Sequence, residues 1–362
     1  VYEQLKTLGS SRPNAIMHSV RGTILGEKSF AGTAEAQTGY GYMRIKRTDI
    51  LNVLLDAAAK AGITVHYDKR ITSIEESGQE VRIGFSDGSK DSADFLLGCD
   101  GIHSAVRRLY VDPEVVPEYT GLAGLGGFVS SSDLSQNARD AITGFDITMT
   151  QEGMFGVTPC TALGDELTWT FQREMPLPAV GDVKDGWEVR EKEQVEGFQT
   201  TILDLVKDCQ GEWSNIMREV IKSAQVVKLY PLHKLPQGGK WSRGRVLLLG
   251  DAAHAMPPHA GQGIGMAMED AFLLARVLAK RDDFASVESI FSRYEDIRRP
   301  RVERISTLAS DNGKSRKRVG PLGLWMKEIG IYLYTRGAWA MGLVAWGATD
   351  KLLVYDIEDE KV

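Results

Sequence analysis

Residues 245–271 read RVLLLGDAAHAMPPHAGQGIGMAMEDA, and the fold is decided there. The run Val246–Leu249 is apolar on both faces, as a buried parallel strand requires. It ends in Gly250-Asp251, which sets a carboxylate at the strand's C-terminal edge, the side on which open α/β sheets bind ligands. Pro257 and Pro258 fix an extended turn. Gly261, Gln262 and Gly263 then let backbone N–H groups approach a ligand where a long helix starts. A carboxylate accepts hydrogen bonds from a polyol, and a helix N-terminus favours negative charge. The stretch suits a ligand that carries hydroxyls and an anion.

A second stretch, Gly98–Arg107, reads GCDGIHSAVR. A strand ends, Asp100-Gly101 turns, and Ser104 caps a helix that presents Arg107 one turn later. Upstream, Thr48 is placed to cap a helix whose apolar positions Ile50, Leu51, Leu54, Leu55 and Ala58 share one face, with Gly62 closing it. Arg47 stands just ahead of that helix, with Arg44 as its local rival. His254 and His259 flank two prolines without a third ligand at useful spacing, so no metal site is expected. His259 reads as a structural residue or one facing substrate, and His103 as part of the turn.

The remaining chain sorts into strands and helices around these motifs. Short strands are expected at 16–20, 23–25, 63–66, 71–75 and 81–85, with Asp87-Gly88 as a hairpin turn. From 127 to 225 the pattern becomes antiparallel strands followed by two helical stretches. The expected domains are 1–126, 127–225, 226–320 and a helical tail, 321–362. The tail is apolar, but Lys327, Glu328 and Arg336 keep any uncharged run below the ~18 residues of a membrane span; it reads as a packed helix, with membrane-surface contact as the alternative. The basic stretch 293–318 reads as a solvated helical face.

With 362 residues, the chain exceeds the roughly 250–300 residues at which single cores stop growing. Its hydrophobic fraction of 43% is that of a globular protein, and a net charge of -6 argues against nucleic acid as partner. Three scattered cysteines give neither a disulfide framework nor a zinc ribbon, and the opening residues are no secretory signal, so a cytoplasmic setting is expected.

The two motifs together resemble those of the group A FAD-dependent monooxygenases, the family of p-hydroxybenzoate, salicylate and ubiquinone-pathway hydroxylases. The resemblance implies an α/β fold: a Rossmann-type FAD-binding domain, an inserted mostly antiparallel substrate domain and C-terminal helices. It implies FAD as cofactor, NADPH or NADH as transient reductant, and an aromatic or electron-rich small molecule plus O2 as substrates, hydroxylated or epoxidised through a C4a-hydroperoxyflavin. Asp251 then contacts the ribityl chain, Pro258 lies beside the flavin, and Gly261, Gln262 and Gly263 lie near its pyrimidine edge. Asp100 and Arg107 carry over from the family's DG motif, with Arg107 facing the pyrophosphate or NADPH, and Arg47 matches the arginine on the FAD phosphates. No catalytic side chain is readable beyond Pro258's backbone and His259.

The family's opening strand, GxGxxG turn and helix are not in this sequence, and residues 1–12 match the helix that normally follows them. The chain by itself is therefore expected to hold FAD poorly and to be poorly soluble. Two further readings stay open: a truncated, non-catalytic binding protein, or a relative doing flavin-dependent halogenation or reduction. Halogenases of this fold carry WxWxIP, whereas Trp169 sits in WTFQRE.

Overall fold

The computed structural model describes residues 1–29, 32–177, 187–189, 192–340 and 354–362. Helix α1 (Tyr2–Leu8) is followed by strands β1 (Asn14–His18) and β2 (Ile24–Ser29), a short helix α2 (Gly32–Thr38) and helix α3 (Arg47–Lys60). Next come β3 (Ile71–Ser77), β4 (Glu80–Phe85), β5 (Lys90–Ala93), β6 (Leu96–Gly98) and a π turn over Arg107–Val111. The middle of the chain holds β7 (Glu118–Ser130), α4 (Gln136–Ala141), β8 (Phe145–Met149), β9 (Gly153–Pro159), β10 (Glu166–Glu174), β11 (Trp187–Val189), α5 (Lys192–Leu205), α6 (Glu212–Ser223) and β12 (Val227–Lys234). The rest supplies β13 (Ser242–Arg243), β14 (Val246–Leu248), α7 (Asp251–His254), α8 (Gly263–Ala279), α9 (Val287–Lys314) and α10 (Pro321–Ala340).

Two compact units emerge. One comprises Val1–Thr64, Gly121–Pro231 and Arg316–Tyr355; the other comprises Val65–Thr120, Leu232–Ser315 and Asp356–Val362. The first is built on an eight-stranded sheet in the order β11-β12-β7-β10-β9-β8-β1-β2, with β1 and β8 parallel. The sequence placed the antiparallel domain between 127 and 225; β1 and β2, from the start of the chain, pair into the same sheet.

Alternation makes these strands. In β10, Leu167, Trp169 and Phe171 are buried while Thr168, Thr170 and Gln172 are less so, the period of two that a sheet with one helix-covered face requires. The helix-side residues meet α6, whose buried Trp213, Ile216, Met217, Val220 and Ile221 fall on one face at helical spacing. Each of the large side chains Trp169, Phe155 and Phe171 adds roughly 1.5–3 kcal/mol on burial. Helix α10 packs on β2, where Thr335 Oγ1 donates to the Leu25 carbonyl and its side chain fills the space a Cβ on Gly26 would take. Its Leu322, Trp325, Met326 and Leu333 are exposed, and among the described residues no helix is long and apolar enough to cross a membrane.

In the second unit β14 runs parallel to β6 with β13 on its other side, and β3, β4 and β5 form a separate antiparallel sheet. Gly88, with φ +83°, makes the turn between β4 and β5.

Two local expectations are corrected. Ile63–His66 is not a strand: Ile63 is 61% exposed, and β propensity without a pairing partner does not make a ladder. Helix α3 starts at Arg47 with Lys46 as its N-cap and no side-chain cap, so Thr48 lies inside it. Of its residues only Val53 is buried, and Leu51, on the expected core face, is 55% exposed. Its end follows the expectation, since Gly62 (φ +73°) permits the bonds Gly62 N–H to Ala59 O and Ile63 N–H to Ala58 O.

Candidate functional site

Strand β14 is fully buried, and Leu249 N–H continues its pairing by donating to the Gly98 carbonyl. The chain then turns at Gly250, whose φ of +57° and ψ of -139° no residue with a Cβ adopts cheaply, and Asp251 opens α7. Asp251 is exposed and makes no hydrogen bond or ion pair with any described residue. Its carboxylate is open to a ligand.

A buried network holds this turn. One Asp270 carboxylate oxygen accepts from the Gly250 amide at 2.7 Å and from His254 Nε2 at 2.8 Å; the other accepts from Arg298 Nε at 2.6 Å. Arg298 also reaches Glu269 at 2.5 Å, and Arg301 forks onto both Glu269 oxygens at 2.9 and 2.7 Å. Asp270 is 1% exposed and Arg298 0%. Burial pushes the Asp270 carboxyl up, but the His254 hydrogen bond and the charges of His254 and Arg298 outweigh it and hold it down at about 2. Two carboxylates thus face two guanidiniums, the balance a buried ionic cluster needs.

None of these four residues stands out in the sequence as functional, and the stretch 293–318 reads as a solvated face. Arg298 and Arg301 instead turn inward. The available signal is the Glu269-Asp270 pair in a helix whose only other charged residue is Arg276, which calls for further cations.

After α7 the chain extends through Pro257, takes a single 3₁₀ turn over Pro258–Ala260, and reaches Gly261 in the left-handed region at φ +66°. Asn312 Nδ2 donates to the carbonyl of buried His259 at 3.1 Å, which fixes the turn. Gln262 is the N-cap of α8, and Met266 N–H is the first to bond back, to Gln262 O. The amides of Gly263, Ile264 and Gly265 therefore have no helical acceptor. A side chain built on Gly261 or Gly263 would meet nothing within 4 Å, so the space above this helix start is open.

The DG turn is held from within. Asp100 accepts from the amides of Ala105 (2.6 Å) and Val106 (3.2 Å), and Ser104 Oγ accepts from Arg107 N–H at 2.9 Å, as a cap does. Arg107 is only 3% exposed. Its guanidinium donates to the carbonyls of Ala252 (2.8 Å), Val115 (3.3 Å) and Ile102, and burial lowers its pKa. Arg107 is thus neither a surface charge nor turned outward; it ties the DG turn to α7, one residue from Asp251.

Asp100, Arg107, Asp251, Pro258, His259, Gly261, Gln262 and Gly263 all belong to the second unit, and Arg47 belongs to the first. Arg47 is exposed, without a partner among the described residues, and lines a cavity of about 740 Å3 with Lys46, Thr48, Phe128, Lys228 and Tyr230. Among the described residues no cluster of His, Cys, Asp and Glu could hold a metal ion, and Cys99, Cys160 and Cys209 are free thiols.

Comparison with known proteins identifies the family. Residues 2–309 match the family model described as FAD binding domain. Salicylate hydroxylase of Pseudomonas putida is 30% identical over 329 residues, covering 86% of this chain and 72% of the relative. 6-Hydroxynicotinate 3-monooxygenase of Bordetella bronchiseptica is 28% identical over 285 residues, covering 77% and 68%. In fold, the chain is similar to Klebsiella pneumoniae HpxO, solved with FAD and uric acid, at a TM-score of 0.78 and 21% identity, covering 97% of this chain and 82% of that one. The chain belongs to the FAD binding domain family of group A flavoprotein monooxygenases, and it is an enzyme whose cofactor is FAD.

Proposed function

We propose that this enzyme uses NADH or NADPH to place one oxygen atom of O2 on an aromatic or similarly electron-rich small molecule. The observation that carries the reading is the unpartnered Asp251 carboxylate at the end of a buried strand, followed by the open glycine turn and free amides at the start of α8. These residues fit FAD: Asp251 would accept from ribityl hydroxyls, and the amides of Gly263 and Ile264 would hold the ring system's negative edge. When bound, FAD supplies the redox chemistry with the nicotinamide and the activation of oxygen.

The chain's own residues then have separable roles. Asp270, through the Gly250 amide, keeps Asp251 at the strand edge, and Arg107 keeps Asp100's turn against α7. Salicylate hydroxylase and 6-hydroxynicotinate 3-monooxygenase are both named for oxidation of an aromatic ring, which supports an aromatic substrate here.

Asp251→Ala should weaken FAD by about ten-fold or more, since hydrogen bonds to a charged group are worth roughly 1.5–3 kcal/mol. Titration of apoprotein with FAD, followed by fluorescence quenching, measures this directly. A panel of aromatic acids and phenols should include compounds that stimulate NADH or NADPH oxidation. Unchanged FAD affinity in a folded Asp251→Ala protein removes Asp251 from the site, and no stimulation by any aromatic removes the proposed reaction.

A further inference from the structure

Helix α10 has two faces, and the fold covers one of them. Leu324 is buried, Glu328 Oε1 accepts from the Val20 amide at 2.8 Å, and Thr335 Oγ1 donates to the Leu25 carbonyl at 3.1 Å. Steps of four and seven residues set these three on one side of the helix, the side laid against β2. The opposite side is apolar and open to solvent. Leu322, Trp325, Met326, Ile329, Tyr332 and Leu333 are all exposed, Leu322 by 67% and Leu333 by 60%. Because the first face is pinned, the helix cannot roll to hide the second, and a lone chain rarely leaves an apolar patch of this extent uncovered.

The spacing says what covers it. Leu322, Trp325, Ile329, Tyr332 and Arg336 follow one another at alternating steps of three and four, the seam by which one helix meets another. Arg336 closes the seam, its guanidinium carbon 5.0 Å from the Tyr332 ring centroid. Leu322 and Ile329 fill one of the two seam positions, and the aromatic Trp325 and Tyr332 fill the other. Two copies running antiparallel set aliphatic against aromatic in each layer, whereas parallel copies would set Trp325 and Arg336 each against itself, with like charges meeting. The face is therefore complementary to itself, as a two-fold interface requires. Scaled from their exposures, the six apolar side chains offer roughly 700 Å2 per copy, against the roughly 800 Å2 that each partner gives to an interface of standard size. A lipid surface is the poorer occupant. The exposed cations just ahead of α10 are already met by carboxylates, Lys317 by Glu174 at 3.7 Å and Arg318 by Glu152 at 2.9 Å, which leaves little to attract anionic headgroups.

We propose that this face of α10 is a homodimer interface, in which α10 of one protomer packs antiparallel against α10 of its partner. The inference is independent of the reaction catalysed. Trp325 and Tyr332 are the anchors, as large aromatics are at interface centres, and Leu322 and Ile329 of the opposing copy receive them.

Sedimentation velocity on FAD-loaded enzyme at about 50 μM is the test, since interfaces of this size hold at micromolar concentrations or below. The wild-type enzyme should sediment at twice the 39.9 kDa of one chain. Leu322→Glu and Trp325→Glu should each sediment as a single chain, with flavin content and far-ultraviolet circular dichroism unchanged. Both positions are more than half exposed within one chain, so the substitutions leave its packing alone. A single-chain mass for the wild type overturns the proposal, and so does a dimer that persists in both variants, which places the contact elsewhere. A monomeric wild type that floats with vesicles of four parts phosphatidylcholine to one part phosphatidylserine assigns the face to lipid and overturns it as well. In Arg336→Cys, a disulfide mapped between the two substituted positions overturns the antiparallel arrangement, which holds them too far apart to bond.

Discussion

Asp270 illustrates what single residues contribute here. Its carboxyl is held at about 2, below the ordinary 3.8, so it favours the folded state when ionised. That support amounts to roughly 2 kcal/mol; it is whole above about pH 4 and is lost as pH falls toward 2. Asp270→Asn removes the charge but keeps the shape, leaving buried Arg298 with Glu269 alone. At pH 7 the substitution should cost roughly 3 kcal/mol, the scale of a broken buried ion pair. Urea unfolding at pH 7 and pH 3 checks this, since the gap between variant and wild type should narrow on acidification as the native carboxyl becomes neutral. A gap that is constant with pH would mean that the ionised form carries no special weight.

At the scale of elements, the glycines of β7 set how closely its neighbours approach. A Cβ on Gly126 would sit 2.2 Å from the Trp169 carbonyl oxygen of β10, and one on Gly127 would sit 2.3 Å from the Val226 carbonyl oxygen. Gly126→Ala should therefore destabilise the fold by roughly 2 kcal/mol or more through overpacking against backbone that cannot move aside. Gly263→Ala, directed into open space, should leave thermal stability unchanged and weaken FAD instead. Equal melting temperatures for all three proteins would show that β7 and β10 have slack.

Local chemistry explains why some of these elements could be read from the sequence. β14, the Gly250-Asp251 turn, the start of α8 and the Gly62 stop are written in adjacent residues. The failures are nonlocal. Ile63–His66 has strand-forming residues but no partner, and nothing near Arg298 in the sequence announces a carboxylate 28 positions away. The DG spacing sets Arg107 one turn after Ser104, and only the fold reveals that its side chain points inward to Ala252.

For the molecule as a whole, stability is uneven. In the first unit β9 and β10 lie over a core that includes Phe155, Val157, Trp169 and Phe171 and is covered by α5 and α6. In the second, β5 is exposed along its length and β3 is at most half-buried, although Val81 and Ile83 of β4 are buried against β14. Native-state hydrogen exchange should accordingly open β3 and β5 well before β9 and β10; simultaneous exchange would make the chain a single cooperative block.

The Asp270 cluster also limits how this sequence can be recombined. Asp270 answers to the loop after β14, to α7 and to α9 at once, so residues 245–271 are not a portable cassette. A chimera that imports them without Arg298 and Arg301 imports two acids with no cations to meet them, and the glycine turn it was meant to transplant arrives without its anchor.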